Sequence, residues 1–167
     1  MKKALAILLV VLVSVSALYA GLGDSYKGAS KKEALAVGLN FGTNAGLAVN
    51  YGMGDFDLEG IVGLNILDGA IDVEAAANYK IIDLAKELDI DGKMPLTVGG
   101  EVALSANLNG AFKLSVAALV PVKITYTFPK FPVNIYLRLA PGVGVQLVDS
   151  LNIGIDMQGS LGVTYNF

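Results

Sequence analysis

The sequence predicts an all-β protein whose strands pair in antiparallel order as one up-and-down barrel. From Glu33 to Phe167, apolar and polar residues alternate with a period of two, as in strands that have one apolar face. Turn-forming residues interrupt the alternation at hairpin spacing. The chain is 54% hydrophobic with a mean hydropathy of +0.60. Beyond the N-terminal segment, it nevertheless has no uncharged run long enough for a membrane-spanning helix.

The N-terminal segment has the composition of a secretory signal peptide. Lys2 and Lys3 give it a positive start, and residues 4–18 form an apolar core. Small residues at its end allow cleavage after Ala20, which we expect, or after Ala17. An uncleaved membrane anchor is the other interpretation.

The predicted division of the chain follows from this cleavage. Residues 1–20 are the signal peptide, and residues 21–32 are a flexible lead-in because they are polar and rich in Gly and Ser. Residues 33–167 are the barrel.

Eight strands account for the alternating part of the chain. Turn formers separate the strands at Gly42-Thr43-Asn44, Gly54-Asp55, Asp68-Gly69, Asn109-Gly110, Pro129-Lys130 and Asp149-Ser150. The strands are expected at residues 33–41, 45–53, 56–67, 70–82, 96–107, 111–128, 132–147 and 151–167.

Two features modify this regular pattern. The longest connection, residues 83–95, has Leu84 and Leu88 at helical spacing. This spacing predicts a short cap over the barrel mouth or, alternatively, a periplasmic contact. Pro121 and Pro141 fall inside long strands, where they predict bends or bulges.

The turn lengths predict how neighbouring strands are aligned. Three-residue turns place Ala45 opposite Phe41 and Leu151 opposite Leu147, and a two-residue turn places Phe56 opposite Met53. A two-residue turn at Asp68-Gly69 likewise places Ala70 opposite Leu67. The same register sets Asp57 directly opposite Lys80.

The two faces of the strands differ sharply. One face has no charged residue, amide, Ser or Thr, whereas the other is small and polar. An eight-stranded barrel has little room inside, so the small, polar face is the one that fits there. The apolar face must then point outward, where water would penalise it and lipid would not. We therefore predict an antiparallel up-and-down transmembrane β-barrel.

Aromatic residues fall near the strand ends, as in the interfacial girdles of membrane barrels. One set of ends has Tyr51, Phe56, Tyr79, Tyr126, Phe128, Tyr165 and Phe167, and the other has Phe41 and Phe112.

The last strand ends with Val163, Tyr165 and the terminal Phe167 at alternate positions. This ending is similar to the C-terminal signal by which outer-membrane barrels are recognised for assembly. With the signal peptide and the alternation, the chain resembles small eight-stranded outer-membrane proteins of the OmpA/OmpX type. The resemblance implies a bacterial outer-membrane location, with outer-membrane lipid and the barrel-assembly machinery as partners. The chain departs from the type in having its longest connection, residues 83–95, on the periplasmic side.

Ionisable residues on the inward face are the only candidate site. They should form a charge network, because an unpaired buried charge is costly. Arg138 is expected to meet Glu101 or Asp156. The network either packs the lumen or lines a narrow polar path for ions. Its members are Asp57, Glu59, Asp72, Glu74, Lys80, Glu101, Lys113, Lys123, Arg138 and Asp156.

Composition excludes several other classes of function. A net charge of −3 and a pI near 4.8 give no electrostatic basis for binding nucleic acid. The chain has no cysteine and no histidine, so thiolate sites and the commonest general base are missing. We expect no catalytic, metal or cofactor site and no enzymatic activity.

The expected function is therefore a structural or membrane-organising role, with a filled polar lumen. A porin-like pore for small solutes is the alternative. A soluble, secreted lipid-binding β protein is a second alternative. The sequence leaves the oligomeric state open.

Overall fold

The computed structural model describes residues 33–66, 69–107, 112–148 and 151–167. The predicted signal peptide and lead-in lie outside the described residues. The same is true of three predicted turn positions: Asp68, Asn109-Gly110 and Asp149-Ser150.

Nine strands and one helical turn make up the described chain, and each strand begins or ends within a few residues of its predicted position. The strands are β1 (Glu33–Gly42), β2 (Asn44–Met53), β3 (Phe56–Asn65), β4 (Ala70–Asp83), β5 (Pro95–Asn107), β6 (Lys113–Leu119), β7 (Val122–Thr127), β8 (Val133–Gln146) and β9 (Asn152–Asn166); the helix is α1 (Leu84–Glu87).

The strands close into a ring of eight positions. Strands that follow one another along the chain pair antiparallel, except β6 with β7, and β9 pairs back onto β1. β6 and β7 share one position between β5 and β8. This arrangement confirms the predicted all-β, antiparallel, up-and-down barrel. We call the end with Glu33 and Phe167 the terminal end and the other the far end.

The predicted sixth strand, residues 111–128, is wrong as a single strand because it breaks at Pro121. Proline has no N–H to donate to a neighbouring strand. The backbone reconnects around it: Val120 N–H donates to Pro141 O (2.8 Å), and Gly99 N–H donates to Pro121 O (3.0 Å). Pro141 lies within the continuous strand β8.

Three of the four predicted registers are confirmed, and the one at the β3–β4 hairpin is wrong by two residues. Asn65 pairs with Ala70, so four residues and not two separate the paired ends, and Gly69 N–H donates to Asn65 O (2.9 Å). Asp57 therefore lies opposite Asn78 and not Lys80. A shift of two residues preserves the face of every side chain, so the predicted inward and outward positions are unchanged.

The ring closes with a large stagger. Stepping from Asn40 to its register partner on β2, and then from strand to strand as far as β8, leads to Asn152 on β9. The β9 residue that pairs directly with Asn40 is Gly162, which lies ten residues further along the chain. Such stagger accompanies strongly tilted strands. Because β1 ends at Gly42, opposite Ser160, residues 152–158 of β9 pair with β8 alone among the described strands.

Burial follows the strand alternation, with polar side chains inside and large apolar ones outside. Asn40, Asp72 and Arg138 are each no more than 1% exposed, whereas Leu47 is 60% exposed and Ile155 is 92% exposed. Small residues such as Ala48 and Ala140 fill the rest of the interior. The face prediction is therefore confirmed.

Aromatic rings lie at both ends of the barrel wall. At the terminal end, ring centroids are 4.9 Å apart in Phe56–Tyr79 and in Tyr126–Phe128, and 5.1 Å apart in Tyr165–Phe167. At the far end, Phe41 and Phe112 are both exposed.

The long connection between β4 and β5 folds beside the strands at the terminal end. Asp83 caps α1, its Oδ1 accepting from Ala85 N–H (3.3 Å) and from Met94 N–H (2.9 Å). Lys93 and Thr127 exchange backbone hydrogen bonds. In the part of the chain that the structure describes, no helix is long and apolar enough to cross a membrane.

Gly162 gives Tyr136 its place in the lumen. The two residues are register partners on β9 and β8, and a Cβ on Gly162 would overlap the Tyr136 ring. Tyr136 is 2% exposed, so its ring has little free space into which to move.

We predict that Gly162→Ala lowers the unfolding free energy by about 1–3 kcal/mol, because it overpacks this contact. Gly154→Ala on the same strand is the control, since its Cβ would meet no atom within 4 Å. Urea unfolding in detergent micelles, followed by far-ultraviolet circular dichroism, measures both variants. Equal stability of the two would contradict the proposed packing.

Candidate functional site

Two buried cations form the centre of the lumen. Lys123 on β7 and Arg138 on β8 are register partners, and both side chains point inward. They are 2% and 1% exposed, respectively. Since isolated charges are costly in such an environment, each needs carboxylate partners close by.

Lys123 reaches across the lumen to the β2–β3 hairpin. Its Nζ donates to Asp57 Oδ2 (2.6 Å), to Glu59 Oε2 and to Asn50 Oδ1 (3.1 Å). These contacts use all three of the protons that an ammonium group can donate. The ammonium also lies 5.9 Å from the centroid of the Tyr136 ring.

Arg138 connects β8 to three other strands. Its guanidinium lies 2.9 Å from Glu74 Oε2 on β4 and donates to Glu101 Oε2 on β5. Its Nε lies 3.9 Å from Glu59 Oε1 on β3, so Glu59 contacts both cations. We call these six residues the lumen cluster: Asp57, Glu59, Glu74, Glu101, Lys123 and Arg138.

Neutral side chains connect the lumen cluster to β1 and β2. Asn44 Nδ2 donates to Glu74 Oε1 (2.9 Å), and Asn40 Nδ2 donates to Asn44 O (2.6 Å). Tyr136 O–H donates to Asn40 Oδ1 (2.7 Å). Hydrogen bonds and ion pairs thus join seven of the nine strands, namely β1, β2, β3, β4, β5, β7 and β8.

The structure brings together six of the ten ionisable residues proposed from the sequence, which are those of the lumen cluster. Asp72 is buried and accepts from Asn65 Nδ2 (3.1 Å). It lines a cavity nearer the far end together with Asp156, which is half-buried. Lys113 is exposed beside a second cavity.

Lys80 does not join the lumen cluster, and the predicted pair of Asp57 with Lys80 is wrong. Because Tyr79 pairs with Phe56, the first residue of β3, Lys80 lies just beyond that strand, and its Nζ lies 2.9 Å from Asp55 Oδ1. Both side chains of that pair are substantially exposed, at 38% and 61%. Asp57 pairs with Lys123. Of the two carboxylates expected for Arg138, the structure pairs it with Glu101.

Sequence reasoning missed Asn44 and Tyr136 as parts of this site. Asn44 was assigned to a turn, yet it begins β2 and points inward. Tyr136 lies midway between Asn134 and Arg138 on the inward parity of β8, so alternation alone was the signal that could have found it.

Two cavities lie in the lumen towards the far end. The smaller has a volume of about 70 Å³ and is lined by Asn65, Asp72, Ala103, Ser105, Ser115, Ala117, Asp156 and Gln158. The larger, about 190 Å³, shares Ser105 and Ser115 with it and is also lined by Ala70, Asn107, Lys113 and Gln146. Both therefore have predominantly polar walls. Among the described residues, no three His, Cys, Asp or Glu side chains converge as a metal site.

Comparisons with protein-family models, curated proteins and solved structures found no match to this chain. The class of protein therefore rests on the fold and the lumen: a closed antiparallel barrel with a charged, packed interior.

We predict that Arg138→Met lowers the unfolding free energy by about 3–5 kcal/mol, because Glu74 and Glu101 would remain buried without their cation. Lys80→Met is the matched control, since it breaks an exposed ion pair whose loss costs within about 1 kcal/mol. Urea midpoints of both variants in the same detergent provide the comparison. A cost for Arg138→Met as small as that of the control would show that the lumen cluster does not stabilise the barrel.

Proposed function

We propose that this chain is an integral β-barrel of a bacterial outer membrane with a structural or membrane-organising role. In this proposal it is a small eight-stranded barrel of the OmpA/OmpX type, delivered by its N-terminal signal peptide. Its direct partners are outer-membrane lipid and the assembly machinery that inserts barrels.

The inverted distribution of side chains is the observation that supports the proposal most strongly. Leu47, Leu64 and Leu137 are each 53–60% exposed, and exposed large apolar residues occur on every strand except β6. Monomeric soluble proteins rarely expose apolar patches beyond a few hundred Å². Lipid around the wall would remove the cost of this exposure, which in water is about 25 cal/mol per Å².

The closed part of the ring also meets the backbone requirement of a hydrocarbon environment. Unpaired N–H and C=O groups are costly there, so only helices and closed barrels span membranes. The β1–β9 pairing closes the ring over residues 36–42 and 160–166.

The terminal end supports an orientation towards the periplasm. Val163, Tyr165 and Phe167 are 43%, 49% and 78% exposed on the outer face of β9, where assembly factors could reach them. The paired aromatic rings at this end suit the interface between lipid and water.

The lumen cluster favours a structural role over transport. Arg138 and Lys123 contact carboxylates from three strands on the other sides of the ring, so their side chains occupy the middle of the lumen. Small barrels of this size are normally filled in this way.

The proposal predicts that the wild-type protein remains in urea-washed outer membranes and migrates differently on gels before and after heating. Leu139→Arg, in the middle of the outward face of β8, should lower the folded fraction, because a charge facing lipid costs about 2–4 kcal/mol. Phe131→Arg is the control, since Phe131 lies outside the strands and is 65% exposed. Recovery of the wild-type protein as a soluble periplasmic species, with both variants equally folded, would favour the soluble lipid-binding alternative.

A small-solute pore is the second candidate because polar cavities occupy the far half of the lumen. If the lumen cluster closes the path, purified protein in planar bilayers will give no steady ohmic steps. Arg138→Met tests whether the cluster is the barrier. Regular steps in the wild type would instead support the porin-like function.

A further inference from the structure

The inward face contains more carboxylates than cations. Within the described residues it has six carboxylates and two fully buried cations, while Lys113 is exposed at the mouth. Lys123 and Arg138 contact the four carboxylates of the lumen cluster. The remaining two, Asp72 and Asp156, both line the smaller cavity. Two of the six inward carboxylates therefore lie in the far half of the lumen, outside the lumen cluster.

The walls of this cavity are rich in oxygen. Asp72 on β4 and Asp156 on β9 contribute carboxylates, and Ser105 on β5 and Ser115 on β6 contribute hydroxyl groups. The Asp72 carboxylate is held in place by Asn65. A volume of about 70 Å³ is enough for an ion with a few waters.

Gln158 adds an independent indication that something binds here. The residue is only 5% exposed and lines the same cavity, and its Oε1 has no hydrogen-bond partner. A buried amide oxygen without a protein donor costs free energy, and a cation or a water bound in the cavity would offset that cost. Gln158 offers a neutral oxygen beside two carboxylates.

We infer that this cavity binds one hard divalent cation, and that the cation is Ca²⁺. Calcium prefers six to eight oxygen ligands, including carboxylates, amide oxygens and water. Mg²⁺ demands a stricter octahedral geometry and releases its waters reluctantly, so it fits a cavity with few carboxylates less well. The inference concerns the lumen alone and holds whatever surrounds the barrel.

Isothermal titration calorimetry with CaCl₂ on the full-length protein, folded in detergent micelles, tests the inference. We expect one Ca²⁺ per chain, at least tenfold weaker binding in Asp72→Asn/Asp156→Asn, and weaker binding of Mg²⁺. Asp89→Asn/Asp91→Asn is the matched control, because it makes the same charge change in the exposed connection after α1 and should bind as the wild type does.

Gln158→Leu separates coordination from general electrostatic attraction, since it keeps every charge and removes only the amide oxygen. We expect several-fold weaker binding, and this variant also provides the test if the double lumen variant fails to fold. The inference is overturned if the wild type binds no Ca²⁺, if Mg²⁺ binds equally well, or if Gln158→Leu binds as tightly as the wild type.

Discussion

The narrow interior of an eight-stranded ring is the constraint on which the other features depend. It admits small and polar side chains such as Ala48 and Asn40, and it forces large apolar ones outward. The same constraint brings Arg138 and Lys123 within reach of carboxylates on facing strands, although those carboxylates are more than thirty residues away along the chain. The ring, the inverted faces and the lumen cluster therefore follow from one limit on volume.

The lumen cluster in turn fixes the ring. Glu59 on β3 contacts both cations, so displacing either one disturbs a partner that the other shares. Arg138 extends this coupling to Glu74 on β4 and Glu101 on β5. Interactions within such buried networks are coupled and do not add as independent pairs. The hydrogen bonds of Asn40 and Asn44 extend this coupling to the first hairpin.

The strands, their faces and the closed order could be predicted from the sequence because a period of two survives errors in strand bounds. The β3–β4 register illustrates this, since a shift of two residues left every inward position inward. The ion pairs could not be predicted in the same way. Because of that shift, Lys80 lies opposite a different residue and pairs with Asp55 instead of Asp57. The contact of Lys123 with Asp57 crosses the lumen, so it depends on the stagger of the ring, which the alternation does not reveal.

The stagger of the ring has a consequence for how deeply the barrel can sit. Gly159 directs its N–H and C=O towards Thr43, on the side of β9 that faces β1. By alternation, the backbone groups of Ile153, Ile155 and Met157 point to the same side, but β1 ends before it reaches them. Acyl chains cannot solvate bare amides. In the membrane proposed for this barrel, the hydrocarbon core must therefore end near Gly159 on the β9 side. The parts of β8 and β9 beyond Gly159 then project out of the hydrocarbon on one side only, which limits both the depth and the tilt of the barrel.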